Sequence, residues 1–440
     1  MDSLNSQIPV PKSNNQRIII IGGGFGGIRL AQKLKNKGFQ VVMFDRHNYH
    51  TFQPLLYQVA TAGLEPDSIA GSLRQQLENM KDFYFRMANV YSINPDENTI
   101  ETEIGNLSYD YLVIATGSKT NYYGNESIME NGFPLKQIPQ ALDLRSHILQ
   151  NFEKAVIETN PAQLKRQMNI VIVGGGPTGV ELAGAIGELK RSVLPKDYPE
   201  LDFSQMQITL IEGQGRLLSG MSDKSAVKAL EYVKKFGVGV KLNQIVESYD
   251  GQVAKLKNGE TIETTTLIWA AGVQGNVPDG INPDTIERSR IIVNEYNLMK
   301  GSHNVFAIGD VAILKTPDNP NGYPMLAPVA IQQGLNLAKN LVAIKKGKAL
   351  TPYKFSNQGT MATIGRNKAV VDLPGNITVG GLMAWLIWMF VHLMSIIGLR
   401  NKLVIFSNWA WNYFTYDRGT RLIIRKFDPK NKIKEEHVEL

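Results

Sequence analysis

The stretch Arg17-Ile18-Ile19-Ile20-Ile21-Gly22-Gly23-Gly24-Phe25-Gly26-Gly27 runs a β-branched segment straight into a glycine-rich turn. A helix-like stretch beginning Ile28-Arg29-Leu30-Ala31 follows, and then a second apolar run, Val41-Val42-Met43-Phe44, that ends on Asp45. The same order recurs further along the chain. Asn169-Ile170-Val171-Ile172-Val173 leads into Gly174-Gly175-Gly176-Pro177-Thr178-Gly179, then a helical stretch from Val180, then Ile208-Thr209-Leu210-Ile211 ending on Glu212. Later segments also correspond. Tyr109-Asp110-Tyr111-Leu112-Val113-Ile114-Ala115-Thr116-Gly117 resembles Thr265-Thr266-Leu267-Ile268-Trp269-Ala270-Ala271-Gly272, each an apolar strand entering a small-residue turn. Strand, glycine turn, helix and strand in sequence make a βαβ unit. Two such units predict an α/β chain with two Rossmann-like dinucleotide-binding domains built on parallel sheets.

Each glycine of a G-x-G-x-x-G turn has a separate physical reason. The first permits the tight turn, the second lets the backbone approach a pyrophosphate, and the third lets helix and strand pack closely. In the first copy these are Gly22, Gly24 and Gly27; in the second, Gly174, Gly176 and Gly179. The helix then points unpaired N–H groups and its positive dipole end at the phosphates. Pro177 suits this position, because the first helical turn does not need its N–H. Asp45 and Glu212 are placed to accept from ribose hydroxyls, and a carboxylate at 212 favours a free 2′-hydroxyl over a 2′-phosphate. Arg216, close by, either softens that preference or is a surface charge. Sixteen inserted residues from Arg191 to Met206 lengthen the interval from Gly174 to Glu212. Two dinucleotide folds in one chain most economically mean a flavin and a nicotinamide.

Composition narrows the chemistry. With 43% hydrophobic and 20% charged residues, the chain is too apolar and too evenly mixed to be disordered. It has no cysteine, which excludes thiol, disulfide and iron–sulfur redox chemistry. Its six histidines show no HExxH-type pairing, so no metal site is expected. A net charge of +7 is too mild to argue for nucleic acid.

With these motifs in place, the chain resembles the two-dinucleotide-binding flavoproteins, and more narrowly the type II (non-proton-pumping) NADH:quinone oxidoreductases. The narrower markers are His47-Asn48-Tyr49-His50-Thr51-Phe52-Gln53-Pro54-Leu55-Leu56-Tyr57-Gln58-Val59-Ala60, Ala327-Pro328-Val329-Ala330-Ile331-Gln332-Gln333-Gly334, Gly398-Leu399-Arg400-Asn401-Lys402 and Trp409-Ala410-Trp411. The resemblance implies FAD in the first copy and NADH in the second. It adds Phe25, Arg46, Gln53, Thr116, Gly117, Asp310 and Ala327 to the FAD-binding set, and Thr178 and Gly272 to the NADH-binding set. Asp310, in Asn304-Val305-Phe306-Ala307-Ile308-Gly309-Asp310, looks like the family's third FAD element. The implied activity is hydride transfer from NADH to the flavin and two-electron reduction of a membrane quinone, as a peripheral respiratory-chain dehydrogenase.

Two residues are implied as catalytic. Glu181, in the first turn of the second glycine helix, reads either as a helix-start acid or, by resemblance, as a group beside the reacting cofactors. Gln332 is the candidate for the quinone headgroup, since an amide can donate to a carbonyl and accept from a hydroxyl; the plainer reading is a capping or core amide. The family usually carries a second glutamine four residues earlier, where this chain has Pro328, which cannot donate. Gln333 or a water could substitute.

Val379 to Leu399 is a run of 21 residues without Asp, Glu, Lys or Arg, and four of the five tryptophans fall between Trp385 and Trp411. A spanning helix, a buried core helix and an element lying in the interface all compete. The aromatic crowding, with nine Lys/Arg against five Asp/Glu from Arg400 to Leu440, favours the last. The expected organisation is a flexible tail over 1–15, an FAD domain over 16–125 and 286–350, an NADH domain over 126–285, and a membrane-anchoring region over 351–440. The expected location is the cytoplasmic face of the cell membrane, as a monotopic protein, with a homodimer also admitted. Alternatives are a soluble NAD(P)H oxidase or ferredoxin-type reductase, and an interaction flavoprotein of the apoptosis-inducing-factor type.

Overall fold

The structure is a computed structural model that describes residues 7–396, 398–415 and 419–429. The two glycine turns open helices α1 (Phe25–Leu34) and α2 (Pro177–Ser192). The chain divides into two compact units. The first comprises Met1–His50, Gly71–Lys119 and Val273–Ser356; the second comprises Thr51–Ala70, Thr120–Gly272 and Asn357–Leu440.

The first unit is built on five parallel strands in the order Val305–Ala307, Tyr111–Ile114, Arg17–Ile21, Gln40–Asp45, Phe83–Met87. Both faces of this sheet are covered, which is why its central strand is an unbroken run of isoleucine. Ile18 and Ile20 pack with Leu30, Leu34, Leu337 and Leu341 on one face, while Ile19 and Ile21 pack with Val42, Phe44 and Leu112 on the other. Helix α3 (Ala327–Lys345) lies against α1. The two cross closely through glycines, for a Cβ on Gly334 would stand 2.5 Å from the Gly26 carbonyl oxygen.

Residues 7–15, expected as part of a loose tail, are held against this unit. Ile8 is buried in its core and donates to the Asn106 carbonyl at 3.0 Å, and Gln40 and Arg86 each donate at 2.8 Å to the carbonyls of Pro11 and Pro9. A polar stretch with one well-placed apolar side chain is enough to dock when open backbone acceptors meet long polar side chains.

The second unit repeats the architecture with Phe133–Pro134, Thr266–Trp269, Ile170–Val173, Ile208–Glu212 and Val238–Leu242, all parallel. The inserted residues do not disturb the register: Val173 pairs with Ile211, just as Ile21 pairs with Phe44, so Glu212 and Asp45 each fall one residue beyond the pair. Residues 51–70 group with this unit because the short helix Leu56–Ala60 packs on the helix Ile138–Val156 and on α2.

The C-terminal residues join this unit as well. Thr360–Thr363, Ala369–Leu373 and Ile377–Gly380 form an antiparallel sheet, followed by helices α4 (Leu382–Ser395) and α5 (Leu399–Thr415). The apolar run from Val379 is therefore not one helix. Its first two residues finish a strand, and Gly381, at φ +77°, turns the chain before α4 begins. Fourteen residues at about 1.5 Å each make a rod of about 21 Å, short of a bilayer core of about 30 Å. Among the described residues, no helix is long and apolar enough to cross a membrane.

Candidate functional site: two nucleotide cradles and a buried glutamate

In the first cradle Gly22 sits at φ +107°, and a Cβ there would lie 2.3 Å from the Ala115 carbonyl oxygen. A Cβ on Gly27 would lie 2.0 Å from the Gly22 carbonyl oxygen, so the third glycine is fixed by the packing of helix on turn. Gly24 differs: no atom stands within 4 Å of its would-be Cβ. Gly24 is the N-cap of α1, and no side chain caps that helix. The second cradle repeats this. Gly174 has φ +110° and a Cβ there would lie 2.4 Å from Ala270 O; Gly179 would meet Gly174 O at 1.8 Å; Gly176 faces open space at the uncapped start of α2. Four other helix starts are capped by Ser72, Asn125, Asn160 and Ser222, while α3 and α4 also lack a side-chain cap. Two helix N-termini thus keep unspent N–H groups facing a space that a methyl group would begin to fill. The residues fit the pyrophosphates of FAD and NADH.

The two acids brace the turns. Asp45 accepts from the Gly23 N–H at 2.6 Å and the His47 N–H at 2.8 Å; Glu212 accepts from Gly175 at 2.5 Å and Gln214 at 2.7 Å. Burial pushes the Asp45 carboxyl up against the pull of those backbone donors. Arg216 is held by Asp223 and by the carbonyls of Ser219 (2.7 Å) and Met221 (3.1 Å). Its guanidinium is therefore committed to a loop, which leaves Glu212 as the charge beside the turn. Thr178 is exposed in the first turn of α2, and Gly272 adopts φ +157°, where a Cβ would strike the Tyr123 hydroxyl at 2.4 Å.

Around the first cradle, the Thr116 hydroxyl donates to Asn276 O at 2.6 Å, Gly117 turns at φ +70°, and Ser118 Oγ donates to Asp310 at 2.6 Å. Phe25 opens α1 with its ring edge-on to His50, 4.9 Å between centroids. Arg46 follows Asp45 and lowers that carboxyl by its charge. Gln53 is exposed and accepts from Lys136 at 3.5 Å, in the second unit. Ala327 begins α3, with Pro328 next to it where no N–H is missed.

The two glutamines of α3 are both engaged. Gln333, only 1% exposed, accepts the Gly309 N–H at 2.7 Å and so fixes the turn that carries Asp310. It is a structural amide, not a free stand-in for the absent glutamine at 328. Gln332 donates to Ser356 O and accepts from Ser356 N, each at 2.9 Å. That pairing uses one of its two N–H groups and one of its two lone pairs.

His50, which motif reading had not singled out, approaches the Gly23 carbonyl at 3.0 Å through Nδ1. A carbonyl only accepts, so Nδ1 carries the hydrogen. Burial pushes the ring down to about 4, so it is neutral and serves as a strut under the glycine turn.

Glu181 lies in the first turns of α2 and is 7% exposed. Burial pushes its carboxyl up to about 8; the Thr363 N–H at 3.4 Å and the indole of Trp388 pull the other way. Its partner Thr363 lines a cavity of about 110 Å3 whose walls also include Ala185 and Glu188 of α2, Trp388 and Trp409. Residues 181, 185 and 188 share one face of α2 by helical spacing. Trp409 Nε1 donates to Gln58 Oε1 at 2.9 Å, and Gln58 Nε2 donates to Tyr57 OH at 2.9 Å. The marker segment Leu56–Ala60 and the marker Trp409 therefore meet in one wall, a proximity that residue spacing alone does not reveal.

The geometry defines a protein with paired dinucleotide folds, and comparison with known proteins narrows it. Residues 16–334 match the model of the pyridine nucleotide-disulphide oxidoreductases, and residues 357–416 match that of the NDH2 C-terminal domain. The chain is 33% identical over 439 residues to type II NADH:quinone oxidoreductase NdhA of Mycobacterium tuberculosis, covering 96% of this chain and 92% of that protein. It is 30% identical over 391 residues to the type II NADH:quinone oxidoreductase of Haemophilus influenzae, covering 81% and 87%. In fold it is similar to NDH2 from Plasmodium falciparum in complex with NADH, with a TM-score of 0.85 at 20% identity over 94% of this chain and all of that one. The chain belongs to the type II NADH:quinone oxidoreductases, within the pyridine nucleotide-disulphide oxidoreductase family. It has no cysteine with which to perform disulphide chemistry.

Proposed function

We propose that the protein oxidises NADH and passes two electrons through FAD to a quinone, working as a peripheral dehydrogenase on the cytoplasmic face of a membrane and pumping no protons. The activity goes with the family; the roles of individual residues and the membrane face are our reading. FAD, when bound, supplies the two-electron relay. The N–H groups opening α1 and α2 hold the two pyrophosphates, Asp45 and Glu212 orient the riboses, and Asp310 with Ser118 completes the flavin set. Phe25, Arg46, Gln53, Thr116, Gly117 and Ala327 are assigned to that set, and Thr178 and Gly272 to the NADH set. Glu181, protonated below about pH 8, holds a proton of the kind that quinone reduction consumes. Gln332 keeps one N–H and one lone pair for a headgroup after its pairing with Ser356.

The observation that carries the reading is the twin cradle: two uncapped helices, each with an open second glycine and an acid one residue past the paired strand. For the membrane, the support is the outward face of the last helices. Phe390 is 65% exposed and Phe414 81%, with Leu382, Met383, Met394, Leu403 and Phe406 also exposed, where a soluble oxidase or reductase would bury them. Flotation with anionic lipid vesicles tests this. The Phe390→Asp/Phe414→Asp double variant is expected to lose most vesicle binding while keeping its flavin, and unchanged binding would contradict the assignment.

A further inference from the structure

Trp388 is 2% exposed, and its Nε1–H is sealed from solvent without a hydrogen bond of ordinary geometry. A buried donor left in that state is costly unless an acceptor forms during the working cycle. The ring itself is well held. His392 stacks on it with centroids 4.2 Å apart and donates through Nδ1 to the Trp388 carbonyl at 2.8 Å; Trp409 lies 5.6 Å away on the arm fixed by Gln58. Trp388 and Thr363 line the same cavity, and the Thr363 N–H reaches the Glu181 carboxyl at 3.4 Å; the indole N–H also draws that carboxyl down.

We propose that Trp388 is a positioning residue for Glu181: its indole N–H closes on the carboxylate when Glu181 gives up its proton. This rests on the reading of Glu181 as a proton holder given above. The balance is simple. The proton leaves the Glu181 carboxyl for the acceptor oxygen, both O–H bonding electrons stay on the carboxylate, and the negative charge is received by two neutral donors, the Thr363 N–H and the Trp388 N–H.

Among the described residues, the charged and titratable groups near α2 are engaged elsewhere. Elements packed around α2 bring Tyr57, Tyr232, Arg366, Lys368 and His392, and Glu188 stands on its own helix. Arg366 is spent on the carbonyls of Asn412 and Tyr413, at 2.6 Å and 2.9 Å, and Lys368 lies over the Tyr232 ring at 5.1 Å. Glu188 accepts the Arg366 N–H at 2.5 Å, and His392 is neutral above about pH 4. A carboxylate held by few donors titrates where those donors set it, so a single N–H has a large share in the ease of proton release.

The test replaces Trp388 by benzothienylalanine through codon suppression, which keeps the ring shape and removes only the donor, with Trp388→Phe as a second variant. The infrared carbonyl band of protonated Glu181, identified as the band lost in Glu181→Gln, is titrated in the holoenzyme. Removing a hydrogen bond to the charged form should raise its midpoint by about one pH unit. The matching limb of the quinone-reduction pH profile should move with it, while flavin reduction by NADH stays unchanged. An unmoved midpoint in the folded, flavin-loaded protein overturns the proposal. Full quinone turnover in Glu181→Gln would instead remove the proton-holding role beneath it.

Discussion

Gln332 and Ser356 exchange two hydrogen bonds, amide Nε2–H to carbonyl and backbone N–H to Oε1, both at 2.9 Å. The pair ties α3 to the segment leaving the first unit. Gln332→Ala removes both bonds at a partly exposed site, for a loss of about 1–2 kcal/mol in stability. If the remaining N–H also serves a quinone, the variant should show lower quinone turnover with flavin reduction by NADH unimpaired. Rapid-reaction kinetics of the two half-reactions checks this; a defect in flavin reduction would contradict the role.

The glycines of each cradle separate into two kinds. Gly22→Ala and Gly174→Ala would place a Cβ against backbone carbonyls at positive φ, and should cost upward of about 2 kcal/mol and depress thermal melting. Gly24→Ala and Gly176→Ala meet no protein atom, so the fold should survive while cofactor is lost: FAD with the first, NADH affinity with the second. Melting curves beside flavin content and NADH titration distinguish them. Loss of folding in Gly24→Ala would contradict the assignment of that space to a ligand.

Much of this was legible in sequence because it is local. A β-branched run, a glycine turn, a helix and a terminal acid follow one another within a few dozen residues, and the backbone chemistry of each step is dictated by residue type. What escaped depends on tertiary approach. Arg216 could soften the preference for a free 2′-hydroxyl until Asp223 and two carbonyls are seen to hold it. Gln333 could be a free amide until Gly309 is seen to use it. The run from Val379 to Leu399 has uniform hydropathy, so composition could not show that Gly381 breaks it or that Trp388 turns inward while Phe390 stays outside.

With Arg216 engaged by Asp223 and two carbonyls, Glu212 is the charge that braces the second glycine turn. Glu212→Ala should lower kcat/KM for NADH about tenfold to a hundredfold, the worth of a charge-assisted hydrogen bond of roughly 1.5–3 kcal/mol. It should improve NADPH relative to NADH. Steady-state kinetics with both nucleotides measures the ratio; an unchanged ratio would remove Glu212 from ribose recognition.

Stability should respond to pH at both ends. Glu181 is raised from 4.5 to about 8, so the stability it contributes is fully present below pH 4.5 and is lost as pH rises through about 8. His50 and His392 are lowered from 6.5 to about 4, so theirs is present above pH 6.5 and is lost as pH falls through about 4. Glu181→Gln should remove the fall between about pH 4.5 and 8 and leave the loss at the acid end in place. Thermal melting across pH 4 to 9 checks the signs, and a fall from neutral pH to about 8 that persists unchanged in Glu181→Gln would contradict the assignment.

The central claim is that one cysteine-free chain holds FAD and NADH and relays electrons between them to a quinone. The most direct measurement is the visible flavin band of the purified protein, followed without oxygen as NADH and then a short-chain quinone are added. The account predicts a yellow protein that bleaches with NADH and regains its colour with the quinone. A protein that takes up no flavin, or one that bleaches and does not recover, would contradict it.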